Sequence, residues 1–144
     1  MESGVLTTTE MACALVAEDI VSSYGDINIY TGTDNDDKAA PAVICYAESA
    51  SEDFPFSGIW HVKTNIILKE MAELDSERVT RLNSLLGDVH SAFLKPNIES
   101  TLTSKSPSNY YVYQVVFDGK NSTQDGDAWV HTLSLDIVST TKAS

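Results

Sequence analysis

The residues of this sequence that could act as an acid or a base are its three histidines and the aspartates near them. His61 and His131 each follow a tryptophan closely, near the start of a predicted strand, so the two could share one face of a sheet. A pair of imidazoles with Asp127 or Asp136 beside it could in principle serve as a general base. Nothing in the spacing brings these groups within hydrogen-bond distance, so the pattern favours structural histidines, His90 included.

A second stretch with possible chemistry is the acidic run Asp34-Asn35-Asp36-Asp37, which resembles the opening of a calcium-binding loop. The position that needs a glycine for the sharp turn is Ala39, and the position that needs a bidentate glutamate is Cys45. We therefore predict a solvated loop and no metal site. The sequence also contains no nucleophile-elbow, zinc-protease or nucleotide-binding motif, so it predicts neither an enzyme nor a bound cofactor.

The two cysteines, Cys13 and Cys45, lie within apolar stretches and have no CxxC spacing or histidine-rich neighbourhood. This pattern predicts free, buried thiols in a reducing compartment rather than a disulfide or a zinc site. The N-terminus lacks the basic and apolar pattern of a leader, and no stretch reaches the ~18 apolar residues that a bilayer span requires. We therefore expect a soluble protein with no membrane partner, made in the cytoplasm.

The charge of the chain is uneven along its length. Residues 1–60 contain 11 acidic residues and a single base, Lys38, whereas the remaining residues contain 10 acidic and 8 basic ones. The net charge is therefore −10 in the first part and −2 in the second. Because binding to a phosphate backbone requires clustered lysines and arginines, these scattered bases predict no sequence-specific binding of nucleic acid.

The elements that must position these residues are organised around a strand and a helix between Gly58 and Leu94. The strand alternates apolar and polar residues, which is typical of a half-buried strand; its apolar face consists of Trp60, Val62, Ile66 and Leu68. The helix, which Asp75 can cap, has an apolar stripe that consists of Val79, Leu82, Leu86, Val89 and Phe93. These faces predict an α+β fold, a mostly antiparallel sheet with an N-terminal helix and this central helix packed on one face.

A chain of 144 residues with 42% hydrophobic content is the size of one domain, with an expected ordered core of about residues 7–139. The N-terminal helix is predicted to open with a capping box from Thr7 to Glu10. Ile27 and Ile29 indicate an edge strand, and the apolar run 41–47 indicates an inner strand.

Two further strands are predicted at 110–117 and 129–138 because their apolar and polar residues alternate cleanly. Residues 118–128, which connect these two strands, are predicted to form a flexible hairpin. Residues 97–108 form a predicted polar connection, which Ile98 and Leu102 can anchor to the core. The outer strand faces are moderately apolar for a surface in water, which is typical of a sheet that packs against another subunit; they carry Ile67, Tyr111, Tyr113 and Thr132.

The stretch from Glu48 to Ser57 is predicted to be an interaction loop. It is longer than the ~2–5 residues that a hairpin requires, and loops of excess length commonly serve a function. Acidic residues can steer a partner and aromatic residues can hold it. The candidate residues for a contact with a neighbouring subunit or partner are Glu48, Glu52, Asp53, Phe54 and Phe56.

In the order of its elements, the stretch from about Glu10 to Val138 resembles the tail terminator proteins, also called tail completion proteins, of long-tailed, lambda-like bacteriophages. The shared features are an N-terminal helix, the strand Pro41-Ala42-Val43, an acidic loop and a strand beginning at Trp60. A helix with a leucine- and valine-rich stripe follows, and the aspartate-rich turn Asp127-Ala128-Trp129 precedes the last strand. The connection at 96–108 and the hairpin at 118–128 are longer than in the lambda-like pattern.

The resemblance implies that residues 1–144 form one tail-terminator-like domain without catalytic activity. Such a protein forms a homo-hexameric ring in the virion tail or neck that caps the tail tube, stops its elongation and provides the surface for joining the head. The implied partners are other copies of itself, the tail tube protein and the head connector or completion protein. Genomic DNA passes through the ring without specific binding, and a carboxylate-lined lumen would repel it; the candidate lumen residues are Asp34, Asp36 and Asp37.

Two alternatives remain open. One is a head-completion or connector protein of the phage neck, which is a related kind of ring subunit. The other is a cone-shaped, NTF2-like domain that binds a small molecule, with Asp127 or Asp136 as the polar group of its cavity. The cavity of that domain would be lined by Trp60, Tyr113, Trp129 and His131.

Overall fold

The computed structural model describes residues 2–22, 24, 27–31, 42–53, 57–71, 76–106, 110–125 and 128–140. These residues form an α+β fold of three helices and a five-stranded sheet, as predicted. In chain order the elements are α1 Glu2–Val21, β1 Asn28–Thr31, β2 Ala42–Glu52, β3 Ile59–Met71, α2 Ser76–Leu94, α3 Ile98–Ser104, β4 Tyr111–Asp125 and β5 Ala128–Thr140.

The strands are arranged in the order β1-β2-β3-β5-β4, so that β3 lies at the centre. The pairs β2–β3, β3–β5 and β5–β4 are antiparallel. Only the short edge strand β1 runs parallel to its neighbour, β2. The sheet is therefore mostly antiparallel, with β1 and β4 at its two edges.

The apolar face of β3 was predicted correctly. Trp60, Val62, Ile66 and Leu68 are all buried. The register places Leu133 of β5 opposite Ile66, so the buried residues of the two central strands form one continuous layer. Ile67, by contrast, was expected on an exposed face and is buried in a small cluster with Ala42 and Ile44 on the other side of the sheet.

All three helices contribute side chains to the main core on one face of the sheet. The helical residues buried there include Val5, Cys13 and Val16 of α1, Leu85, Val89 and Phe93 of α2, and Ile98 and Leu102 of α3. Burying one large apolar side chain contributes about 1.5–3 kcal/mol, so this layer is the main source of stability. The other face of the sheet has no helix packed on it in the described part of the chain.

The predicted start of the N-terminal helix was wrong. Helix α1 begins at Glu2, so Thr7 and Glu10 lie inside it and do not form a capping box. Thr9 is buried, and its hydroxyl shares a hydrogen bond with the Tyr110 hydroxyl. The Glu10 carboxylate accepts the backbone N–H of Ala47 at 2.9 Å. These polar residues therefore fasten α1 to the sheet instead of opening the helix.

The apolar stripe of α2 differs in part from the predicted one. Val89 and Phe93 are buried as expected, but Leu85 is buried where Leu86 was expected, and Leu86 is half-buried. The side chains of Val79 and Leu82, and the whole of Asp75, lie outside the described residues. The helix ends at Leu94, two residues before Pro96, because a proline disfavours helical geometry in the residue that precedes it.

Two connections proved more regular than predicted. The polar connection at 97–108 contains helix α3, whose Ile98 and Leu102 are anchored in the core as expected. The link at 118–128 continues as strand, because β4 extends to Asp125 and β5 begins at Ala128. None of the described helices is both long and apolar enough to cross a bilayer.

Candidate functional site

The outer edge of β4 carries an exposed apolar strip, which consists of Tyr111, Tyr113, Val116 and Phe117. These four side chains are between 41% and 53% exposed. The rings of Tyr111 and Tyr113 are in edge-to-face contact, with 5.1 Å between their centroids. The tyrosine pair is thus a preformed aromatic surface at the edge of the sheet, where no further strand of the described chain covers it. Val116 lies on the open face, opposite Asp136, whereas Phe117 lies on the helix-covered face, opposite Leu135, and contacts the His90 ring.

The stretch from Tyr111 to Phe117 contains no charged residue, in a chain whose net charge is −12. Edge strands of natural proteins are commonly protected by charges, prolines or short length, because their free N–H and C=O groups can pair with another chain. Helix α3 covers one such group, since the Val112 N–H donates to the Thr103 hydroxyl at 3.0 Å. Past a bulge at Tyr113, the edge is left free of such protection until Asp118.

The predicted interaction loop is shorter than the sequence indicated. Glu48 and Glu52 belong to β2, which continues to Glu52, and β3 begins at Ile59. Glu48 lies at a bulge of β2, with its carboxylate 4.0 Å from the Lys63 ammonium. Phe54 and Phe56 lie outside the described residues. The predicted loop was too long because a strand with polar residues on its open face has a composition similar to that of a loop.

The base of this loop is held closed by hydrogen bonds. The Glu52 carboxylate accepts the Gly58 N–H at 3.0 Å, and the Asp53 N–H donates to the Ile59 carbonyl at 2.9 Å. Gly58 has a φ of 74°, a backbone conformation that residues with a Cβ rarely adopt. The acidic residues of the loop are therefore positioned on a fixed frame.

His61 joins this loop to the open face of the sheet. Its Nε2 lies 3.2 Å from an Asp53 carboxylate oxygen, and its Nδ1 lies 3.2 Å from Asp136 Oδ2. The hydrogen bond with Asp136 raises the pKa of His61, with partial burial opposing it, and the charges of Asp136 and Asp53 add to the rise. A protonated His61 can donate to both carboxylates at once.

The expectation that His61 and His131 share a sheet face was wrong. His61 pairs with Val138 on the open face, whereas His131 pairs with Leu68 on the face that the helices cover. The two imidazoles therefore cannot act together. Asp136 does lie beside His61, but Asp127 lies outside the described residues.

A cavity of about 600 Å³ separates α2 from the strands β3, β5 and β4. His90 and His131 both line it, and the Nε2 atom of each is buried without a hydrogen-bond partner among the described residues. The other ring nitrogen of His131, Nδ1, lies 2.7 Å from the Ser122 hydroxyl. Burial lowers the pKa of His131, which keeps this imidazole neutral near pH 7.

This cavity differs from the one that the NTF2-like alternative predicts. His131 is part of its lining, but Trp60, Tyr113 and Trp129 are not among the described lining residues. Asp136 lies on the opposite face of the sheet, opposite Lys63 in the register. A ligand in this cavity would therefore meet a different set of side chains from the predicted set.

The remaining sequence predictions concern metals, thiols and the acidic lumen. Cys13 and Cys45 are free and buried, and burial raises the pKa of both thiols, that of Cys13 to about 12, so neither is a reactive thiolate. No group of three or more potential metal ligands occurs in the described ranges. The candidate lumen residues Asp34, Asp36 and Asp37 lie outside them.

Four residues of these sites were missed by the sequence reading. Val116 and Phe117 could have been found from the uncharged run in which they lie. His90 and Ser122 had no detectable signal in the sequence, because the cavity that both residues line depends on how α2 crosses the sheet.

Neither a protein-family model nor a curated protein sequence matches this chain significantly.

Proposed function

We propose that the protein is the subunit of a homo-oligomeric ring that caps the tail tube of a bacteriophage, with the edge of β4 as its main subunit contact. The observation that carries this proposal is the exposed, uncharged stretch from Tyr111 to Phe117 on a long edge strand. The order of the elements along the chain resembles that of tail terminator proteins, and this resemblance is the reason for proposing a ring on the tail tube in particular.

The β4 edge favours another protein as its partner on physical grounds. Aromatic residues are enriched at the energetic centres of interfaces, and the side chains of Tyr111, Tyr113 and Phe117 are all about half exposed. The unprotected backbone groups beyond Val112 can add main-chain hydrogen bonds to a strand or loop of a neighbour. In a ring the β4 edge of one subunit meets a different surface of its neighbour, because head-to-tail contacts close into rings, whereas β4 against β4 would give a two-fold dimer.

The charge of the subunit fits the passage of DNA through such a ring. Each copy carries a net charge of −12, so the assembled ring repels phosphate and a transiting DNA chain does not bind to it. In this proposal Asp34, Asp36 and Asp37 line the lumen. The same charge makes the subunits repel one another, so the uncharged β4 edge is the part of the surface that approaches a neighbour at the lowest electrostatic cost.

The loop between β2 and β3 provides a second contact in this proposal, towards the neighbouring subunit or the last ring of the tail tube. Glu48, Glu52 and Asp53 contribute charge, and Phe54 and Phe56 contribute apolar area. The His61 bridge to Asp53 and Asp136 supports this role, because it holds the base of the loop against the sheet. The opposite surface of the ring then meets the head connector or completion protein in the virion neck.

The proposed function is tested by tail tube assembly. Purified tube subunits of the same phage elongate into tubes, whose lengths are measured by electron microscopy with and without this protein. The proposal predicts tubes that stop growing and carry a ring at one end. Unchanged tube lengths at a molar excess of the protein would rule out a capping role and would favour the alternative of a head-completion protein.

A further inference from the structure

The cavity beneath α2 is lined by both apolar and polar side chains. Its volume of about 600 Å³ lies within the range of ~300–1,000 Å³ that is typical of small-molecule sites. Ile66, Leu68 and Leu133 of the sheet form the apolar wall together with Leu86 and Val89 of α2. A ligand with an apolar body would therefore replace water along most of the cavity.

The polar part of the lining contains hydrogen-bonding groups without a partner among the described residues. The Nε2 atoms of His90 and His131 are buried and unbonded within the described structure. Buried polar atoms of native proteins nearly always have a partner, so two such atoms lining one cavity indicate a bound molecule or ordered water. A ligand that satisfies both atoms must carry a group that can form hydrogen bonds with both imidazoles.

The contact between Ser122 and His131 defines what that group can be. When the Ser122 hydroxyl donates to Nδ1, at 2.7 Å, the single proton of the neutral ring lies on Nε2. His131 then offers a donor and requires an acceptor from the ligand. Lys120, which lies two residues before Ser122 on β4, adds an ammonium group to the same lining.

The charge of the lining is opposite in sign to that of the whole chain. Among the described residues around the cavity, Lys120 is the one charged side chain and no carboxylate is present, although the chain has a net charge of −12. This lining favours an anionic head group. A carboxylate is a planar anion with two acceptor oxygens, which suits the His131 Nε2–H donor and the Lys120 ammonium group.

We propose that this cavity binds a small monocarboxylate with an apolar body, such as a medium-chain alkyl carboxylic acid. The carboxylate pairs with His131 and Lys120, and the apolar body lies against Ile66 and Leu133. This site adjoins the proposed ring contact, because His90 contacts the Phe117 ring, but ligand binding is measured directly and does not require the ring to form.

The experiment is a calorimetric titration of the purified full-length protein with octanoate and with 1-octanol, which has the same chain and an uncharged head. We expect saturable binding of octanoate in the micromolar to millimolar range and weaker binding of 1-octanol. The variant Lys120→Met should weaken octanoate binding by about fivefold or more, since it removes a charge-assisted hydrogen bond, and should leave 1-octanol binding unchanged.

Gly87 provides a matched pair of variants that locates the site. It lines the cavity from α2, and an added Cβ would meet no atom within 4 Å. Gly87→Leu should fill the cavity and lower octanoate affinity by about tenfold or more, whereas Gly87→Ala, which improves helix propensity similarly, should retain it. No saturable binding of octanoate, equal affinity for 1-octanol, or equal affinity of the two Gly87 variants would each overturn the proposal.

Discussion

His61 on β3 lies diagonally across from Asp136 on β5, and 3.2 Å separates the imidazole Nδ1 from the carboxylate oxygen. Asp53, at the end of β2, lies at the same distance from the other ring nitrogen. The strands β3 and β5 and the residue that follows β2 thus meet at one imidazole on the open face. This contact fastens the proposed interaction loop to the centre of the sheet.

The His61 contact predicts a pH-dependent contribution to stability. Because Asp136 and Asp53 raise the pKa of His61 in the folded state, its stabilising effect is fully present below the unfolded pKa of about 6.5. The effect is lost as the pH rises through the higher folded-state pKa. Urea unfolding of the wild type and His61→Gln at several pH values should give a stability difference that is largest in acid. A difference that does not change with pH would show that the imidazole charge is irrelevant, and Asp136→Asn should remove most of the dependence.

Glu10 is predicted to matter as a hydrogen-bond acceptor rather than as a charge. Burial raises the pKa of its carboxyl group, so the charged form is disfavoured in the folded protein, while the Ala47 N–H opposes this effect. Glu10→Ala removes the acceptor of an N–H on a buried residue and should cost about 1–3 kcal/mol in the free energy of unfolding. Glu10→Gln keeps a carbonyl acceptor and should be close to wild type near pH 7. Equal losses in both variants would show that the charge itself is required.

Leu85 and Asn83 distinguish the buried stripe of α2 from its solvent face. Leu85 is buried in the main core, and Asn83 is exposed on the same helix. Leu85→Ala should lower the free energy of unfolding by about 2–5 kcal/mol because it leaves a cavity. Asn83→Ala should change it by less than about 0.5 kcal/mol. Thermal or urea unfolding would contradict the assigned face if both variants had similar effects.

Two glycines should respond to alanine with opposite signs. At Gly58 the φ of 74° is unfavourable for alanine, so Gly58→Ala should destabilise the protein by about 1–2 kcal/mol. The nearest atom to the new Cβ, the Thr140 hydroxyl at 3.8 Å, is not a clash, so the backbone conformation is the cause. At Gly87, in a helix with open space around it, alanine should stabilise by up to about 1 kcal/mol. Urea unfolding would contradict both assignments if the signs were reversed.

Strand and helix periodicity allowed much of the fold to be predicted. The alternation around Trp60 and Val62 identified the buried face of β3, because a half-buried strand has a period of two. The continuous apolar run at 41–47 gave the inner strand β2, and Ile98 and Leu102 are buried in the core as predicted. The predictions failed where polar residues occur inside regular structure, as at Thr9 and in the second halves of β2 and β4.

The candidate sites were less predictable because they depend on register and on packing between distant elements. The bond between His61 and Asp136 requires the pairing of β3 with β5, and the opposite orientation of His131 follows from the same register. The presence of His90 and His131 in one cavity lining depends on where α2 crosses the sheet. By contrast, the uncharged run of β4 is visible in the sequence, and only its position at the sheet edge required the structure.

The ring and its contact are tested most directly by sedimentation velocity over a range of protein and salt concentrations. The wild type should form a closed oligomer that becomes more populated as salt screens the net charge of −12 on each subunit. Val116→Lys puts a charge on the β4 edge and should shift the protein to monomer, whereas Met11→Lys, at an exposed position on α1, should not. A wild type that remains monomeric under all conditions, or a Val116→Lys variant that assembles as the wild type does, would contradict assembly through β4.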